Sequence, residues 1–130
     1  MTAPAWLSAV IGEFGRAAGL GGFALNNSGA AALKFETGAS LRLEYTGAEL
    51  VVAMSVSMTA TLVALQRLLA LSHPRARHGG FRIRAGVLMK SGEAIIAIRL
   101  AERDVTLVQL NAAFSALWRL AEEIGDGSWA

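Results

Sequence analysis

With 130 residues, 54% of them hydrophobic and 17% charged, the chain is sized for one ordinary domain and too apolar to be disordered. Twelve Lys and Arg against ten Asp and Glu leave a formal charge of +2, which does not mark a polyanion binder. The absence of cysteine rules out disulfides, a thiol nucleophile and thiolate metal sites, and suits a reducing cytoplasm.

So apolar a chain carries more greasy surface than one small domain can hide, so part of it is expected to face a partner. One domain over 1–130 is expected, with an ordered core from about 4 to 124 and a frayed tail at 125–130. The amino terminus MTAPAWLSAVIGEFGR lacks the basic start and unbroken apolar run of a secretory signal. The longest uncharged stretch, Leu50 to Leu65, is interrupted by Ser55, Ser57, Thr59 and Thr61 and is shorter than the roughly 20 residues a bilayer requires. No membrane insertion is expected.

From Pro4 to Ala18, Trp6, Val10 and Phe14 recur at four-residue spacing beside Leu7 and Ile11, the stripe of an amphipathic helix opened by proline. Gly19 is its natural stop. A glycine-rich connection follows, in which Leu20, Phe23 and Leu25 can tuck under the helix before Asn26-Asn27-Ser28-Gly29 turns the chain.

Three strand patterns come next. Leu33 and Phe35 alternate with Lys34 and Glu36; Leu41, Leu43 and Tyr45 alternate with Arg42 and Glu44; Leu50, Val52, Met54 and Val56 alternate with smaller residues. Turns at Thr37-Gly38 and Thr46-Gly47 predict an antiparallel meander. Val51 and Ala53 make the second face of the third strand apolar as well, which predicts a central strand covered on both sides.

At about Thr59 to Leu71 the period changes to that of a helix, with Ser57, Thr59 or Thr61 available as N-cap. Leu62, Val63, Leu65, Leu68, Leu69 and Leu71 spread around its whole circumference, interrupted by Gln66 and Arg67. A helix apolar all round must be covered all round. Its own sheet can cover one side, and a second subunit is the economical cover for the other.

After the basic loop SHPRARHGG, the segments FRIRAGVLM and EAIIAIRLA read as a strand pair around Lys90-Ser91-Gly92. Phe81 and Ile83 oppose Arg82 and Arg84, while Ile96, Ile98 and Leu100 share a face. Asp104 is expected to cap a last helix whose buried stripe is Leu107, Leu110, Phe114, Leu117, Trp118, Ala121 and Ile124.

Groups able to do chemistry are few. His73 and His78 are the two histidines, both in the basic loop, with no carboxylate at metal-ligand spacing, and they read as solvated. The glycines of GRAAGLGGF follow a helix, whereas a dinucleotide fingerprint follows a strand. Glu122-Glu123 reads as a solvated helix face. Arg75, Arg77, Arg82 and Arg84 form a basic region with Phe81 as its one interleaved ring, so an RNA-binding module over Arg75–Arg84 stands as an alternative to a solvated face or an acidic partner. Trp6 and Trp118 are expected to pack, and Trp129 belongs to the tail. No cofactor, nucleotide or metal is expected, and no catalysis.

The chain resembles the class I, effector-specific dimeric chaperones of bacterial type III secretion. The resemblance runs from about Leu7 to Ile124 and is carried by Phe14-Gly15 and Gly19-Leu20, Leu25 and Gly29, LKFETG with Leu41, Leu43 and Glu44, the Leu-rich middle helix, Gly79-Gly80-Phe81, and IIAIRL. Those chaperones are commonly acidic, whereas this chain is slightly basic, and NNSG and FETG stand where acidic turns are common. The resemblance implies an α+β fold, α-β-β-β-α-β-β-α, with helices packed on a twisted antiparallel sheet. It implies a homodimer formed by the middle helix and the following strand, with Leu62, Leu65, Leu69, Phe81 and Ile83 as interface candidates. Sequence leaves open which leucines turn inward.

The resemblance further implies that the N-terminal segment of a secreted effector wraps around the dimer in extended form, adding strands at sheet edges and burying side chains in grooves. Leu33, Phe35, Leu41, Leu43, Leu50 and Val52 are then expected to shape core and effector-binding groove. It implies work in the bacterial cytoplasm and delivery to the secretion ATPase. Alternatives on the same fold are a heterodimeric chaperone subunit or a secretion regulator.

Overall fold

The computed structural model describes residues 2–58, 61–88 and 90–125. Its elements run α1 (Ala5–Ala17), β1 (Ala30–Lys34), β2 (Ser40–Tyr45), β3 (Glu49–Ser57), α2 (Leu62–Leu71), β4 (Arg84–Leu88), β5 (Glu93–Ala101) and α3 (Leu107–Ile124), with a 3₁₀ turn at Glu102–Asp104 before the last helix. This is the order and α+β class predicted above.

The strands form one antiparallel sheet in the order β1-β2-β3-β5-β4. Its register lines up the alternating apolar positions across strands: Leu43 lies opposite Val52, and Val52 opposite Ile98; Leu41 lies opposite Met54, and Met54 opposite Ile96. All six side chains are buried. A one-residue slip would turn every one of them to the other face, so this pattern fixes the register. The core is completed by Leu7, Ile11 and Phe14 of α1 and by Leu110, Ala113 and Leu117 of α3. α3 lies against β3 and β5, and α1 lies against α3.

The buried stripe of α1 is rotated from the expected one. Leu7, Ile11 and Phe14 face inward together with Gly15, while Trp6 is 45% exposed. Gly15 has a packing reason: a Cβ there would sit 3.1 Å from the Phe23 Cβ and 3.2 Å from the carbonyl oxygens of Leu20 and Phe23. The absent side chain lets the glycine-rich connection close under the helix.

The second face of β3 also departs from expectation. β3 is central, but Val51 and Ala53 are part-exposed, as are Ile95 and Ala97 on β5. Small residues share this side with the ion pairs Arg42–Glu44 at 3.7 Å and Arg99–Glu49 at 3.4 Å, so it tolerates water where the other face does not.

Of the candidate caps for α2, Thr61 is the one used, its hydroxyl accepting from the Ala64 N–H at 3.1 Å. Thr59 lies outside the described residues. For α3 the cap is Thr106, which accepts from the Gln109 N–H at 3.1 Å, and not Asp104, which belongs to the 3₁₀ turn. Leu110, Leu117, Ala121 and Ile124 of the predicted α3 stripe are buried, joined by Ala113 and Leu120. The 126–130 tail, with Trp129, lies outside the described residues.

Candidate docking surfaces

α2 turns Leu68 into the core and holds Ala64, Leu65 and Leu71 half-buried against it. Among the described residues, nothing covers its remaining large apolar positions. Leu62 is 72% exposed, Leu69 71% and Val63 58%. Solvent exposure of three large aliphatic side chains on one short helix is what an unpartnered interface leaves behind, since burying each is worth about 1.5–3 kcal/mol.

The interface candidates therefore divide. Leu62 and Leu69 point outward, and Leu65 and Phe81 are half-buried. Ile83 is fully buried in its own protomer and is removed from the set. β4 begins only at Arg84, and just before it Ile83 is turned into the core while Arg82 stays exposed. Phe81 is turned back on His78 by a tight Gly79-Gly80 turn, with N–H to C=O bonds of 2.8 and 3.0 Å in both directions and positive φ at both glycines.

The effector-binding candidates divide in the same way. Leu41, Leu43, Leu50 and Val52 are core residues with no surface to offer, because the face that holds them is the one the helices cover. Leu33 and Phe35 are part-exposed. They stand at the end of β1, an outer strand of the sheet with no further strand beyond it among the described residues.

Around Phe35 the fold assembles a surface that sequence spacing did not reveal. The Phe35 ring meets Trp118 at 5.1 Å and Phe114 at 6.2 Å; Phe114 in turn packs on Phe14 at 5.7 Å. Trp118 donates its indole N–H to Glu122 at 2.9 Å, which holds the ring upright. Phe35, Phe114, Trp118 and Leu20 thus line an open aromatic hollow beside the free edge of β1. The α3 stripe marked Phe114 and Trp118 for burial; both are only partly covered, because β1 ends short of them.

The basic region splits. Arg77 folds back on its own loop, donating to the Pro74 and Ala76 carbonyls at 3.0 and 2.9 Å. Arg82 and Arg84 instead join Arg99 and Arg103 around a slot between the start of β4 and the end of β5. Neither Arg99 nor Arg103 stood out in sequence, since they are distant from the basic loop along the chain.

Among the described residues, both histidines belong to the basic loop. His73 Nδ1 accepts from the Arg75 N–H at 3.1 Å inside the loop. His78 Nε2 is buried and without a hydrogen-bond partner among the described residues, beside a hollow that Arg119 and Glu123 also line. Burial, and then Glu102 as hydrogen-bond partner and like charge, push the Tyr45 phenol above its ordinary value, so it is protonated at neutral pH. Among the described residues, no three His, Asp or Glu side chains are grouped to hold a metal ion, and no helix is long and apolar enough to cross a membrane.

Residues 6–125 match the family of the type III secretory system chaperone SycN. Among solved structures, the fold is shared with the Yersinia pestis type III secretion chaperone SycH in complex with a fragment of YscM2, with a TM-score of 0.73 and 21% identity over 92% of this chain and 99% of that one. It is shared with a chain of the ExsC–ExsE complex, with a TM-score of 0.76 and 18% identity over 95% and 93%. A chain of the HopA1–SchA chaperone–effector complex gives 0.69 and 15% over 89% and 90%. No curated protein matches the sequence.

Proposed function

The chain belongs to the family of the type III secretory system chaperone SycN, and from that premise we propose that it is a non-catalytic homodimer that holds the N-terminal segment of a secreted effector extended, soluble and ready for export. It does so in the bacterial cytoplasm and passes its cargo to the secretion ATPase. The observation that carries this reading is the pair of uncovered apolar surfaces, one on α2 and one around Phe35.

The two have different occupants. The α2 face, with Leu62, Leu65 and Leu69, is self-complementary in chemistry and suits a second copy related by a twofold axis, whereas Phe81 lines the slot at the start of β4. The hollow lined by Phe35, Phe114 and Trp118 lies beside the free edge of β1. An extended peptide can pair its backbone with that edge while alternate apolar side chains, after Leu33, reach the aromatic rings. The proteins above that share this fold were solved in complexes with other proteins, which supports a polypeptide ligand.

The test is light scattering of the purified protein, joined to affinity capture of the tagged chain from its native bacterium with mass spectrometry. A dimer that retains a secreted protein through its N-terminal segment is expected. A stable monomer that retains none overturns the proposal, and solubility gained only on co-expression with a different small subunit replaces the homodimer with a heterodimer.

A further inference from the structure

We propose that the slot between the start of β4 and the end of β5 binds an acidic, extended stretch of a polypeptide. As a site for cargo it rests on the chaperone reading above; as a site for acidic peptide it stands on its own geometry.

The slot exists because two strands stop pairing early. The last β4–β5 pair in this direction is Arg84 with Ala97. Continued in the same register, the next positions would set Ile83 across from Ile98 and Arg82 across from Arg99. Like charges directly opposed on one face of a sheet destabilise the pairing. β4 leaves β5 at this point, and Ile98, Arg99, Leu100 and Ala101 are paired with β3 on one side and, among the described residues, with no strand on the other. In an antiparallel strand alternate residues aim both backbone groups to the same side. The slot therefore presents an open strand edge with donors and acceptors.

Charge defines what fits. Four guanidinium-bearing side chains, Arg82, Arg84, Arg99 and Arg103, line a space of about 680 Å³, against one carboxylate, Asp104. Arg99 is paired with Glu49 at 3.4 Å. Arg82, Arg84 and Arg103 have no ion pair among the described residues. Phe81, half-buried, is the apolar side chain of the slot; Ile98 and Leu100 border it too, but their side chains are buried in the core. An extended peptide of alternating acidic and apolar residues meets all three features at once, placing carboxylates on the guanidinium groups, apolar side chains on Phe81, and its backbone on the free edge.

Two other occupants fit less well. A nucleic-acid phosphate backbone could accept from the arginines but would leave the strand-edge carbonyls without a regular row of donors, and Phe81 is the one ring available for stacking. A second copy of this chain arriving by its own β4 would bring another Arg82 and Arg84 into a slot already cationic.

The experiment uses the full chain and a fluorescein-labelled twelve-residue peptide alternating Glu and Val, with its Gln and Val counterpart as the neutral probe. Fluorescence anisotropy is expected to show binding of the Glu peptide, weakened by added salt, and little binding of the Gln peptide. The double variant Arg82→Gln/Arg103→Gln, checked for its fold by circular dichroism, is expected to lose roughly tenfold in affinity, about what two partly exposed ion pairs contribute. Arg16→Gln, which removes an exposed charge of α1 away from the slot, is expected to leave this affinity unchanged. Backbone amide shifts in NMR are expected at Ile98–Ala101 on adding the Glu peptide. Equal binding of both peptides, shifts confined elsewhere, or binding of oligouridylate but not the Glu peptide overturns the proposal. Cargo captured equally well by the double variant removes the slot from cargo binding while the chaperone reading stands. Capture of no cargo alongside tight Glu-peptide binding removes the chaperone reading and keeps the slot.

Discussion

Phe35 and Trp118 meet edge to face, ring centroids 5.1 Å apart and planes at 82°, so the end of β1 rests on the middle of α3 through two rings that both keep an open side. Such pairs add about 0.5–1.5 kcal/mol beyond the area they bury. Phe35→Ala is therefore expected to lower stability by roughly 1–3 kcal/mol, since the ring is only partly buried. Its larger effect is expected on cargo retention, measured by co-purification. Unchanged retention by a folded Phe35→Ala protein would show that the hollow is not a docking site.

Leu62 and Leu69 should behave unlike Leu68 although all three belong to one helix. Leu62→Asp/Leu69→Asp is expected to shift sedimentation from dimer to monomer while far-ultraviolet circular dichroism keeps its helical and strand signal, because both side chains are largely exposed in the protomer. Leu68→Ala removes a buried side chain and is expected to cost about 2–5 kcal/mol at any protein concentration.

Ile83 offers the sharpest separation of core from interface. Its complete burial within the protomer predicts that Ile83→Ala destabilises by about 2–5 kcal/mol in urea unfolding, with the folded fraction still associating as the parent does. Ile83→Ala at undiminished stability but impaired association would return this residue to the interface.

Gly15→Ala is expected to lower the thermal midpoint. In an exposed helix interior the change would add just under about 1 kcal/mol of stability through propensity. Here the new Cβ would stand 3.1–3.2 Å from the Phe23 Cβ and from two backbone carbonyl oxygens, which yield less readily than the tip of a flexible side chain, and overpacking of this kind costs about 1–3 kcal/mol. The packing cost is the larger of the two. Calorimetry of the single variant decides the sign.

Periodicity made much of the fold legible. The alternation of Leu41, Leu43 and Tyr45, and of Leu50, Val52, Met54 and Val56, assigned the strands and their buried face, because a pleated strand offers only two faces and only one can be dry. The same alternation could not separate core from docking surface: Leu33 and Leu43 look alike in sequence, yet one ends at an open edge and the other is fully buried. The α2 surplus was readable because a helix apolar on every side cannot satisfy itself within one protomer.

What the sequence by itself determined is the element order, the apolar face of each strand and the excess of greasy surface on the middle helix, all consequences of local geometry. Tertiary structure alone decided the α1 stripe, the aromatic hollow and the arginine slot. Phe35 reaches Trp118, and Arg82 comes to stand near Arg99 and Arg103, only through strand order and the point at which β4 parts from β5. The physical reason is that a side chain's periodicity gives its direction from its own backbone, whereas its neighbours depend on which distant segments close over that direction.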